Sequence, residues 1–117
     1  MVAARLRQKS KEKKMSIVAG VVSFKAKPGK GTELAHAIAA ALPHVEKEQG
    51  TPLWLVLHSN AEPEVVFLVD LFNSPEDRNT HMSGDAARQI FAAIPELLAE
   101  QPALHPSDLV AHKGFAA

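Results

Sequence analysis

Cysteine is absent from this chain, which removes disulfides, thiolate metal sites and cysteine nucleophiles together. Tyrosine is absent too, and aromatic residues make up only 5% of the chain, so side-chain hydroxyls able to hold an anion are scarce. No apolar run approaches the roughly eighteen residues of a membrane-spanning helix. The formal net charge is zero, and the body carries no basic stripe of the kind that tracks nucleic acid. Neither a membrane nor a nucleic acid is therefore expected as the main partner, and the cytoplasm is the expected location. What is present is an ordinary mix for one domain: 117 residues, 46% apolar, much of it alanine.

The neutral total hides an asymmetry. Residues 1–14 hold Arg5, Arg7, Lys9, Lys11, Lys13 and Lys14 against Glu12 alone, a net of +5, and the remainder balances it at −5. Because a strand pattern begins directly after Met15, the expected organisation is a basic, disordered leader over 1–14 (or an upstream start) and a single domain over 15–117. Such an arm could otherwise contact phosphates or a membrane surface.

Two segments carry most of the structural information. Leu53–His58 (Leu-Trp-Leu-Val-Leu-His) and Val65–Phe72 (Val-Val-Phe-Leu-Val-Asp-Leu-Phe) are strand-like and apolar at odd and even positions alike. A strand alternates its side chains between two faces, so both expect apolar cover on each side. A chain this short supplies one layer of helices, which leaves the second face for a partner subunit or a ligand.

Around that pair the other elements fall into order. Ile17–Lys25 predicts a strand ended by Pro28-Gly29. A helix capped by Thr32 follows, with Leu34, Ile38, Leu42 and Val45 at helical spacing, a kink at Pro43 and a stop at Gly50. Ser74-Pro75-Glu76-Asp77 supplies a cap, a first-turn proline and two acids for a second helix, broken near Ser83-Gly84. Ala86–Glu100 continues it, and Leu109–His112 is the expected last strand. The order β-α-β-β-α-α-β predicts an α+β, ferredoxin-like antiparallel sheet.

These residues resemble the antibiotic biosynthesis monooxygenase domain family. The shared positions are Pro28-Gly29 before the first helix, Glu48-Gln49-Gly50 after it, Trp54 in the second strand, Asp70-Leu71-Phe72 ending the third, and His81 nine residues further on. The resemblance covers roughly residues 17–113. It implies a homodimeric α+β barrel closed through the sheet faces, and oxygenation of small aromatic, phenolic or quinol-like substrates without metal or flavin, hence no cofactor. The chain departs from the family where Asp70 stands in place of the usual Glu and Phe72 in place of the usual Trp. The haem-degrading branch resembles a trio of Asn, Trp and His, of which only His81 remains here, so haem degradation is not expected.

Cofactor-free oxygenation needs a base of suitable pKa, donors for the resulting anion and a dry apolar cavity. His81 is the expected base or donor, since imidazole titrates near neutrality and the resemblance places it beside the pocket. Asp70 is an acid inside an apolar strand, where burial without a partner is costly; it either orients His81 or is capped at the strand end by amides or water. Trp54, Phe67, Phe72 and Phe91 are the expected cavity walls, with a core or interface role as the alternative for Trp54. His36 and His44 are eight residues apart, too far for a two-histidine metal site on one helix turn, and no metal is expected. Gly29-Lys30-Gly31-Thr32 lacks the frame of a phosphate loop. The competing reading is a non-catalytic dimeric barrel that binds a small hydrophobic ligand or serves as a stress-associated module.

Overall fold

The computed structural model describes residues 16–114, so the basic segment 1–14 lies outside the described residues. Four strands and four helices follow one another as β1 (Val18–Lys25), α1 (Gly31–Ala39), α2 (Leu42–Val45), β2 (Leu53–His58), β3 (Val65–Phe72), α3 (Pro75–Met82), α4 (Asp85–Ala93) and β4 (Ala103–Asp108), with a 3-10 turn at Pro95–Leu97 between the last two. The strands pair in the order β2-β3-β1-β4, every neighbour antiparallel. This is the ferredoxin-like α+β arrangement.

Strand parity and register sort the side chains into two layers. Val22 and Phe24 of β1, Val66, Leu68, Asp70 and Phe72 of β3, and Trp54 and Val56 of β2 face the helices. Leu34 and Ile38 of α1, Val45 of α2 and Ile90 of α4, with Ile94 just beyond it, close onto them. Phe24, Leu34, Ile38, Val66, Phe72 and Ile94 are almost fully buried, each contributing about 1.5–3 kcal/mol through apolar burial. On the other face Val21, Phe67 and Val69 are half-buried, and Leu55 and Leu57 remain 41% and 46% exposed.

Several boundaries differ from expectation, each for a local reason. The first helix begins at Gly31, with Lys30 rather than Thr32 at its cap and no side-chain capping bond. It ends before Ala41 instead of kinking at Pro43, and Pro43 lies in the first turn of α2, where its missing N–H is not required. The helix expected over Ala86–Glu100 stops at Ala93, ahead of Pro95. The last strand is Ala103–Asp108, not Leu109–His112. The free edge of β1 decides this: Lys27 N–H donates to Leu97 O and Ala99 N–H to Lys25 O, both at 2.8 Å, and β4 then runs along β1 as far as Val18. Pro106 is tolerated there because β4 is an edge strand.

The start of α3 follows the sequence closely. Ser74 Oγ accepts from Asp77 N–H at 3.1 Å and donates to Asp77 Oδ2 at 3.0 Å, with Pro75 in the first turn. A cap of this kind stabilises a helix by about 1 kcal/mol. It also turns the chain sharply after Phe72, so that α3 returns across the end of β3.

Candidate active site: an imidazole between two carboxylates

Asp70 is the one charged side chain within β3, and only 4% of it is exposed. Its cross-strand neighbours are Gly20 on β1 and Trp54 on β2. A Cβ at position 20 would lie 2.6 Å from Asp70 Oδ1, so glycine there makes room for the carboxylate. Burial is the main influence on this acid and raises its pKa from 3.8 to about 6. The attraction of His81 opposes the rise, the nearby Glu48 charge adds to it, and a backbone hydrogen bond lowers it again.

His81 lies in the last turn of α3 and is buried, 4% exposed. Its Nδ1 is 2.6 Å from Glu48 Oε1, and its Nε2 is 3.6 Å from Asp70 Oδ2. The first separation is a short hydrogen bond; the second is an ionic contact, too long for one. With Glu48 Oε1 accepting, Nδ1–H donates, which leaves Nε2 on the side of Asp70. The Phe72 ring packs against the imidazole at a centroid distance of 5.1 Å, tilted by 44°.

Glu48 reaches the imidazole from the loop after α2. The Thr51 hydroxyl donates to the same Oε1 at 2.8 Å. That loop is tied to the β3–α3 junction, because Asn73 N–H donates to Gly50 O at 2.9 Å and Asn73 Nδ2 to Gln49 O at 3.3 Å. A Cβ at Gly50 would come within 2.4–2.6 Å of the Asp77 side chain, so this glycine permits the approach. Three separate stretches of chain thus converge on one ring.

Beside them lies a cavity of about 280 Å³ between the helix-facing side of β1, β3 and β4 and the helices α3 and α4. This is the small end of the range for ligand sites. Its walls are mainly apolar, with Val22, Leu68, Phe72, Ile90 and Leu104 among them, and Asp70 and His81 stand on the lining. Arg78 also lines it, one helical turn before His81 and therefore on the same face of α3. Among the described residues Arg78 has no carboxylate within ion-pair distance.

Of the residues singled out in the sequence, His81, Asp70, Phe72 and Phe91 meet on this cavity. Trp54 does not line it; it packs with the core, and its indole Nε1 is buried without a hydrogen-bond partner among the described residues. Phe67 lies on the opposite face of the sheet, which strand parity from Asp70 already implies. Glu48 and Arg78 were missed. Glu48 stood in the Glu-Gln-Gly motif without an assigned role, and Arg78 could have been found by its three-residue spacing from His81. Among the described residues no cluster of three or more His, Asp or Glu side chains has the geometry to hold a metal ion, and no helix is long and apolar enough to cross a membrane.

The chain is thus an α+β, ferredoxin-like domain that sets an imidazole–carboxylate cluster on an apolar cavity. Residues 17–93 match the family described as antibiotic biosynthesis monooxygenase, and the chain belongs to that family. A solved protein of unknown function from Nitrosomonas europaea, NE2512, is 32% identical, with a TM-score of 0.78 over 89% of this chain and 99% of its own. SO0527 from Shewanella oneidensis is 27% identical, with a TM-score of 0.74 over 81% of this chain and 92% of its own. A Caulobacter crescentus CB15 protein that carries the family's name is 20% identical, with a TM-score of 0.75 over 89% and 99%, and shows the common fold. No curated protein matches the chain.

Proposed function

We propose that this chain is a cofactor-independent monooxygenase acting on a small phenolic or quinol-like aromatic. The observation that carries this reading is the buried His81–Asp70 pair on the wall of an apolar cavity, with half-buried Glu48 bonded to the far side of the ring. In this mechanism the substrate O–H breaks and its proton passes to His81 Nε2, while Asp70 orients the ring and favours its charged form. The electron-rich anion then reduces dioxygen. One oxygen atom remains on a substrate carbon, and the other leaves as water with the two hydrogens the substrate has lost. Phe72 and Phe91 shape the cavity, and the unpaired Arg78 supplies positive charge toward the anion that no tyrosine is available to stabilise.

The test is oxygen uptake with a panel of anthrones and quinols. Uptake of one O₂ per oxidised product is expected, and chelators should leave the rate unchanged. Saturable binding of the panel with no oxygen uptake by any member would instead establish the non-catalytic, ligand-binding reading.

Members of this family are generally dimeric. The uncovered apolar face of the sheet, with Leu55 and Leu57 exposed, suits a second copy packed face to face into a dimeric barrel. Sedimentation should give twice the chain mass. Leu57→Lys, which costs little in a lone subunit because the side chain is already exposed, should shift the protein to the monomer. An unchanged dimer in that variant would place the interface elsewhere.

A further inference from the structure

His81 lines two cavities. One is the apolar cavity described above; the other, on the far side of the ring, is an opening of about 330 Å³ formed by Lys47, Glu48, Gly50, Thr51, Asp77 and Thr80. The two ring nitrogens divide accordingly. Nε2 lies on the Asp70 side, and Nδ1 is bonded to Glu48, whose side chain is 18% exposed. A ligand that fills the apolar cavity displaces the water beside Nε2, so a proton released there needs another receiver. A ring bonded to a solvent-touching acid on its other side offers a way out.

We infer that His81 and Glu48 form a proton passage through the wall of the cavity, with Glu48 exchanging protons with the solvent-filled opening beyond. The inference rests on the proposed function for its purpose. When a bound phenol ionises, its O–H bond breaks and an N–H bond forms at Nε2. The N–H bond at Nδ1 breaks, its proton joins Glu48 Oε1, and Glu48 releases it to water in the outer opening. No electron moves, and the ring is left as its other tautomer. Reduction of dioxygen to water draws protons back by the same route, Nε2 giving up its proton as Nδ1 regains one, so the passage is reset within each turnover. Asp70 stands 3.6 Å from Nε2, close enough to favour the proton arriving there but too far to take it in a hydrogen bond. Lys47 and Asp77 are the other charged groups on the outer opening, and Arg78 and His105 are the remaining basic groups on the inner one. Glu48 acts through the ring and touches no substrate; it is a positioning and proton-exchanging residue.

Glu48→Gln separates these roles, since the amide oxygen still accepts from Nδ1–H and from Thr51 yet cannot take the proton. The probe is 4-nitrophenol, whose anion absorbs visibly, followed by stopped flow in weakly buffered solution with a pH indicator. In the wild type, anion formation on binding should be accompanied by proton release to the indicator. In Glu48→Gln, 4-nitrophenol affinity should stay within about twofold, ionisation should slow at least tenfold, and added imidazole should restore it. Thr80→Phe, which blocks the outer opening without touching the ring, should slow ionisation in the same way. Wild-type rates in both variants, or a slow rate that imidazole does not restore, would overturn the passage. This assay consumes no oxygen, so failure of the oxygenase reading appears separately as ionisation without oxygen uptake.

Discussion

His81→Ala is expected to lower oxygen uptake by two to four orders of magnitude, the usual span for a lost general base. KM for an apolar substrate should change little, because the cavity walls supply most of its contact. The variant also leaves Glu48 and Asp70 facing each other with no imidazole between them. The His81 attraction that now opposes the rise in the Asp70 pKa disappears, so Asp70 should titrate above its present value of about 6. That rise is visible by NMR of the aspartate carboxyl without turnover. A rate within twofold of wild type would remove His81 from the chemistry, and an unmoved Asp70 would remove the electrostatic contact as well.

Asp70→Asn is expected to stabilise the protein while it impairs the site. The acid has a higher pKa in the folded chain, about 6, than its ordinary value of 3.8. Between those values the folded state binds more protons than the unfolded one, so stability falls as pH rises through that window, and the full cost is present above it. The gap corresponds to about 3 kcal/mol. Asparagine keeps the shape and removes the charge. Urea unfolding at one protein concentration should therefore show Asp70→Asn more stable than wild type by about 3 kcal/mol at pH 7.5, with the difference shrinking toward pH 4. A variant less stable than wild type at pH 7.5 would show that hydrogen bonds to the carboxylate outweigh its burial.

The local elements were legible because their causes are local. Leu53–His58 and Val65–Phe72 are bounded by turn residues and form strands over the same residues. Ser74 caps its helix as the motif implies, its Oγ accepting from Asp77 N–H. Ala103–Asp108 was not legible, because Leu-His-Pro-Ser has no apolar alternation; it becomes a strand only because β1 offers an unpaired edge. The site divides in the same way. His81 and Asp70 stood out as an imidazole and a buried acid near the end of one strand. Glu48 did not, since its bond to His81 spans 33 residues of sequence and depends on how the loop at Gly50 lies against Asn73. Phe67 was assigned to the cavity although its odd spacing from Asp70 puts it on the other face. The structure places Trp54 in the core, the alternative weighed for it.

Leu104 and Pro106 form one wall of the cavity, and they come from an edge strand that lies beyond residue 93, where the family match ends. Asp70, Glu48, Arg78 and His81 all lie within it. One wall of the cavity thus lies on a different length of chain from the ionisable cluster, while the other walls share its stretch. A change along 103–108 can therefore reshape that wall of the cavity while leaving Glu48, Asp70, Arg78 and His81 as they are.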